Sequence, residues 1–137
     1  MEWNADKISK LVKQYYSDKM EVACELLETD MKEKTSGAQG PELKAVDLGN
    51  YLNSFTHKVI EGDDEVVGLV ANSADYAPYI EFGTGELAES GDGRKGGWYY
   101  KDPEGNWHFT LGMRPRPIMR AALIEKKQEI LELFRNN

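Results

Sequence analysis

Glu81 stands between Ile80 and Phe82, and a carboxylate among apolar neighbours is the setting in which a general base is sought. No nucleophile, partner acid or metal ligand stands beside it in sequence, so an ion pair with Arg114 or Arg116 is the preferred reading. His57, His108 and Cys24 are metal-ligand types, yet they lie far apart and match no zinc spacing. Asp63-Asp64-Glu65 follows Gly62 and reads as turn chemistry rather than as an arranged acid pair. Gly83-x-Gly85 and Gly91-x-Gly93 lack the Lys-Ser pair or strand–helix setting that a phosphate cradle needs. No catalytic, cofactor-binding or metal-binding residue is assigned, and no enzymatic activity is expected.

The remaining chemistry is that of contact. Trp98, Tyr99, Tyr100, Trp107 and Phe109 form the densest aromatic cluster, more rings than two short strands can bury between them. Core packing and an interface anchor both fit, because large aromatics concentrate in binding hot spots. Arg94 and Lys95, just before the cluster, read as solvated. Arg114, Arg116 and Arg120 follow it. Base stacking on Trp98 and Trp107 beside these arginines is the alternative function, a module for single-stranded nucleic acid or a small ligand.

Helices and strands must position these groups. From Asp6 to about Lys34 apolar residues fall at helical spacing, with Ile8, Leu11, Tyr15, Val22, Leu26 and Met31 marking the stripe and Val12, Ala23 and Leu27 beside it. Thr35–Pro41 ends that helix with small, turn-forming residues. Asp47 caps a short helical turn reaching Leu52. A strand over Ser54–Glu61, a turn at Gly62-Asp63-Asp64 and a second strand over Glu65–Asn72 follow. Ala74–Gly85, with three aromatics, a proline and two glycines, is a shaped connection at the centre of the fold. Within it Tyr76, Tyr79 and Phe82 are expected to pack in the core or seal the sheet edge, with a partner contact as the alternative. Gly83 and Gly85 supply backbone angles closed to other residues. Residues 86–97 have no apolar period and are expected to be mobile. Asp102-Pro103-Glu104-Gly105 suits a type I turn between two aromatic strands. From Pro117 to Phe134 helical spacing returns, with Met119, Leu123, Ile130 and Phe134 on one line and Ile118, Ala122 and Leu133 alongside.

The fold class is therefore α+β, a mainly antiparallel sheet of three to five strands packed with a long N-terminal and a C-terminal helix. The 137 residues suit a single domain, 1–137, with a flexible insertion and aromatic hairpin at about 86–112. A net charge of −7 weighs against binding duplex DNA, which needs clustered Lys and Arg. The charge is uneven: residues 35–113 hold 5 basic and 13 acidic side chains, residues 114–137 hold 6 and 3. An acidic middle and a basic end are able to attract each other between copies, and solvated faces of opposite sign fit equally. A lone Cys24 rules out a disulfide within the chain and suits a reducing compartment. No apolar run approaches a membrane span, and no signal peptide is read at the start.

Two motifs stand in order: Tyr76-Ala-Pro78-Tyr79-Ile-Glu81-Phe82-Gly83-Thr84-Gly85, and Arg114-Pro-Arg116-Pro-Ile-Met-Arg120 opening the last helix. With Asp47-Leu48-Gly49 before them, they resemble the family of small proteins encoded among the neck and tail genes of long-tailed bacteriophages. The likeness runs from about Val46 to Leu133, and the N-terminal helix fits in type. It implies a structural virion protein of the head-to-tail junction, in a neck, tail-completion or tail-terminator role, without cofactor and without catalytic residues. The implied partners are further copies of the chain in a ring, and neighbouring neck, connector or tail-tube proteins. DNA passes through such an assembly without stable binding, and no membrane is involved. The chain is expected to be made in the host cytoplasm and to end in the virion.

Overall fold

The structure is a computed structural model and describes residues 4–45 and 49–135. Helix α1 (Ala5–Ser36) starts at Asn4, whose side chain accepts from the Lys7 amide at 3.0 Å, and ends at Gly37 in the left-handed conformation, φ 84°. Then come α2 (Gly49–Asn53), strands β1 (Phe55–Glu61) and β2 (Val66–Asn72), α3 (Ala77–Phe82) and a 3-10 turn at Gly85–Leu87. Strands β3 (Trp98–Lys101) and β4 (Trp107–Thr110) precede α4 (Ile118–Arg135). The α+β class holds. Among the described residues four strands form two separate antiparallel pairs, β1–β2 and β3–β4, rather than one sheet. The expected Asp47 cap, with Val46 and Leu48, lies outside the described residues.

The β1–β2 ribbon lies on α1, and its close approach has a visible cause. Gly68, opposite Val59 in the ladder, sits where a Cβ would stand 2.6 Å from Met20 Sδ and 2.7 Å from Cys24 Sγ. Only a residue without a side chain lets the helix press there. Cys24 itself is buried, and burial followed by Glu21 and Glu28 raises its thiol pKa, so it packs as a small apolar residue. Leu27, Met31, Tyr51, Phe55, Ile80, Ile118 and Ala122 form the core, drawn from both helices, α2, β1 and α3. Tyr51 packs edge-on against Phe55. Its hydroxyl finds no hydrogen-bond partner among the described residues, and burial raises its pKa.

Helix faces differ from the expected ones. The core touches α1 through Ala23, Cys24, Leu27 and Met31, whereas Ile8, Leu11, Tyr15 and Val22 are exposed. The ribbon and α4 cover one side of α1 from Lys34 back to Ser17 and Tyr16, and the apolar stripe on its other side turns outward. In α4 Ile118 and Ala122 are buried and Met119 and Ile130 pack against the core as expected, whereas Leu123 of the expected line is 53% exposed.

Polar groups are buried as well. Lys34, 3% exposed, meets Asp30 at 2.8 Å, Gln39 at 2.8 Å and Glu125 at 2.5 Å, tying the end of α1 to α4. Burial opposes charge on both members, yet the partners win. The Lys34 pKa stays above and the Asp30 pKa below the ordinary value. His57 on β1 lies between Glu21 and Glu28 of α1, one carboxylate at each ring nitrogen. The hydrogen bonds to Glu28 and then Glu21 raise its pKa against desolvation. A raised folded value means stability that is full below the unfolded pKa of 6.5 and is lost as pH rises through the folded one. Urea unfolding should therefore give falling stability from about pH 6 to pH 8, and His57→Gln should flatten that slope. A slope unchanged in the variant assigns it to other groups.

Candidate functional site

The two sequence motifs dock against each other. Backbone bonds run from the Thr84 amide to Met113 O at 2.9 Å, from the Glu86 amide to Leu111 O at 2.8 Å and from the Arg116 amide to Ile80 O at 2.7 Å. The Met113 amide also donates to Thr84 Oγ1 at 2.8 Å. Glycines make this contact possible. Gly85 (φ +63°) and Gly112 (φ +122°) lie where a Cβ would stand 2.3 Å from Leu111 O and 2.1 Å from Thr84 O. The expectation that Gly83 and Gly85 take angles closed to other residues holds, at φ +79° and +63°.

Glu81, only 6% exposed, receives the Met119 amide at 2.9 Å, the Arg120 amide at 3.0 Å and Arg120 Nε at 3.0 Å. A carboxylate from α3 thus takes two of the unpaired amides that open α4, where the helix dipole also favours negative charge. Arg120 goes on to pair both oxygens of Glu89, at 3.0 and 2.9 Å, and to donate to Glu81 O at 2.9 Å. The expected partner, Arg114 or Arg116, is corrected to Arg120. Arg114 and Arg116 instead donate to the backbone oxygens of Glu42 (2.6 Å) and Lys44 (3.1 Å). Sequence proximity to the second motif was the only available signal, and the helix start chose the third arginine. Glu81 thus fixes the start of α4 against α3.

Within the first motif the burial is the reverse of the expected one. Ile80 and Glu81 point inward, Tyr76 is half-buried, and Tyr79 and Phe82 are 57% and 48% exposed. One and a half helical turns present only one side to the core, and Ile80 fills it. Arg120 lies over the outer Phe82 ring, 4.7 Å from its centre. Pro78, Tyr79, Phe82, Ala88 and Trp98 line an open cleft of about 500 Å³. The 86–97 segment beneath is tied down at Glu86, at Glu89 (amide to Phe82 O, 2.9 Å) and at Gly96 (amide to Glu86 Oε1, 3.1 Å).

The aromatic hairpin forms as read, with Asp102 O accepting from the Gly105 amide at 2.9 Å across its turn. Tyr99 faces Phe109 across the ladder with ring centres 5.1 Å apart, and Lys101 faces Trp107. The rings are not buried: Tyr99 is 71%, Trp107 67% and Phe109 54% exposed, and Tyr100 is also open. Of the two readings left by the sequence, core packing fails. Trp98, half-buried, carries Arg94 over its ring at 5.3 Å. Of the arginines in the alternative nucleic-acid reading, Arg120 is paired with Glu81 and Glu89, while Arg114 and Arg116 are held by backbone oxygens and keep their charge.

His57, Glu21 and Glu25 do come together, with ligand-type atoms within 4.8 Å of one another. Both nitrogens of His57 already face Glu21 and Glu28, which is the geometry of an ion-paired imidazolium rather than of a metal ligand. His108 pairs with Asp102 at 2.7 Å on the hairpin, away from His57. No helix among the described residues is long and apolar enough to cross a membrane.

Compared with known proteins, the chain matches the family described as bacteriophage HK97-gp10, putative tail-component, over residues 1–83. That match takes in α1, α2, the β1–β2 ribbon and α3. No curated protein and no solved structure matches the chain.

Proposed function

This chain belongs to the HK97-gp10-like family of bacteriophage tail components, and from that premise we propose that it is a neck or tail-completion protein of the head-to-tail junction. In this reading residues 1–137 act as one structural domain without catalysis, self-associating and docking onto neighbouring neck, connector or tail-tube proteins. DNA passes the assembly without being held. One observation carries the reading: the β3–β4 arm keeps Tyr99, Trp107 and Phe109 open on a frame whose buried charges are satisfied internally. Large rings left open in one place are the anchors of protein–protein contacts.

Particles made without this chain should accumulate as separate heads and tails, and a labelled chain should appear at the head end of the tail by electron microscopy. The Tyr99→Ala/Trp107→Ala protein should fold normally by circular dichroism yet restore joined particles at least about tenfold less well than wild type. Joined, infectious particles in the absence of the chain, or label at the far end of the tail, rule the reading out.

A further inference from the structure

The β1–β2 ribbon leaves a row of backbone groups without partners. At its turn the Gly62 amide donates to Glu65 O, and at its other end the Ser73 amide donates to Ser54 O. The alternation of an antiparallel ladder then fixes every residue between them. Thr56, Lys58 and Ile60 turn their N–H and C=O toward β2, whereas His57, Val59 and Glu61 turn theirs away from it. Among the described residues nothing bonds these outward groups. The far edge of β2 is flanked instead: Phe134 of α4 shares a groove with Val66, and Ile130 packs on the same core as Val70. An open strand edge is a template for another strand.

The β1 edge runs along the side of α1 turned away from α4. Glu21 and Glu28 meet His57 there and Glu25 lies with them, while Tyr16 and Lys34 meet α4 on the opposite side. Asp18, three and seven residues before Glu21 and Glu25, shares their face. The cations nearby do not balance these acids. Lys32 is paired with Glu28, and Lys58 stands on the outer face of the ribbon with Thr56 and Ile60. Lys7 and Lys10 lie two turns or more toward the N-terminus. Asp18, Glu21 and Glu25 around one imidazole therefore leave the flank acidic. Two β1 edges related by a two-fold axis would bring acid against acid, so the edge does not select its own copy.

The β3–β4 arm meets both requirements. Its Asp102 amide donates to Asn106 O at 2.8 Å, and the same alternation turns the backbone groups of Tyr99 and Lys101 outward from β3. Arg94 and Lys95 stand just before this strand. Of the acids at the tip, Asp102 is paired with His108, and Glu104 lies in the turn. We infer that the β3 edge of one copy adds antiparallel to the β1 edge of the next, joining two ribbons into one four-stranded sheet across the contact. Residues that face each other in such a pair carry their side chains on one face of the sheet. Tyr99 and Lys101 therefore come down on the α1 side, where Asp18, Glu21 and Glu25 stand. Trp107 and Phe109 lie on that same face of the arm and are covered with them. Two different surfaces are used, so the contact propagates from copy to copy until rotation closes it. The inference rests on the self-association named above and assigns its two surfaces.

Pairing through the backbone is tested by removing one backbone donor. Val59→Pro deletes an outward N–H and no ladder bond, whereas Val59→Ala trims the side chain and keeps the N–H. In sedimentation of the purified chains wild type should self-associate, and Val59→Ala should stay within about threefold of it. Val59→Pro should associate at least about tenfold more weakly, with circular dichroism checking that each chain is folded. Amide exchange reads the same contact without any substitution. The Val59 and Lys101 amides should slow at least about tenfold when wild type is concentrated into its associated form. Unchanged exchange there overturns the contact, as does a Val59→Pro chain that associates like wild type or a Val59→Ala chain that loses as much as Val59→Pro. A wild-type chain that stays monomeric at every concentration also overturns it, and points to a strand from a different protein. Virion labelling separates the two ideas. A Val59→Pro chain at wild-type occupancy in joined particles refutes only this contact, whereas a wild-type chain absent from particles refutes the junction role.

Discussion

Glu81→Ala is expected to lower the unfolding free energy by about 3 kcal/mol, read as a fall in the urea midpoint at constant slope and a drop of roughly 10 °C in Tm. The substitution removes the acceptor of two amides at the start of α4 and one of the two carboxylates that hold the Arg120 guanidinium, leaving Glu89. Glu81→Gln keeps an oxygen for the amides and loses the charge, so about half of that loss is expected. If the carboxylate instead served chemistry, Glu81→Ala would leave stability within about 0.5 kcal/mol of wild type, as surface substitutions do.

Gly112→Ala should do more damage still. Its Cβ would stand 2.1 Å from Thr84 O, a backbone atom held in turn by the junction of the two motifs. Relief requires opening the Thr84–Met113 bonds, and φ +122° adds strain of its own. Gly40 isolates the two effects, because it has nearly the same φ, +119°, with nothing within 4 Å of its Cβ position. Gly40→Ala should cost about 1–2 kcal/mol from strain alone. Gly112→Ala should cost about 3–5 kcal/mol, the excess being the clash. Equal losses in the two variants would show that the close approach carries no energy.

Much of the architecture was legible because it depends on local signals. Nothing interrupts the spacing over Asp6–Lys34, Gly37 ends the helix, and Asp102-Pro-Glu-Gly makes the turn it appears to make. Which face of α1 turns inward was not legible. The helix bears apolar residues on two sides, and the choice is made by Gly68, which admits Met20 and Cys24 from another element. The ring contents of Tyr76–Phe82 suggested a buried aromatic cluster, but a helix as short as α3 has one inner side and Ile80 takes it. Glu81 was legible as an unusual carboxylate, and its partner was not, because Arg114, Arg116 and Arg120 are equivalent until α4 has a beginning. The excess of rings at 98–109 was legible in number. Their exposure depends on how far the hairpin stands off the body, which no local pattern encodes.

The clasp between Thr84 and Met113 has a consequence for how the chain is divided. Residues 85–112 leave and return at one place, where two hydrogen bonds join the departing and returning strands. Within that segment Glu89 stays tied to the body through Arg120 and Phe82 O, so it is the length and rings of the β3–β4 arm that can change without disturbing the α1–α4 packing or the Glu81 cap. The arm is in this sense a cassette: the body supplies a fixed socket, and the segment that projects from it can be rewritten on its own.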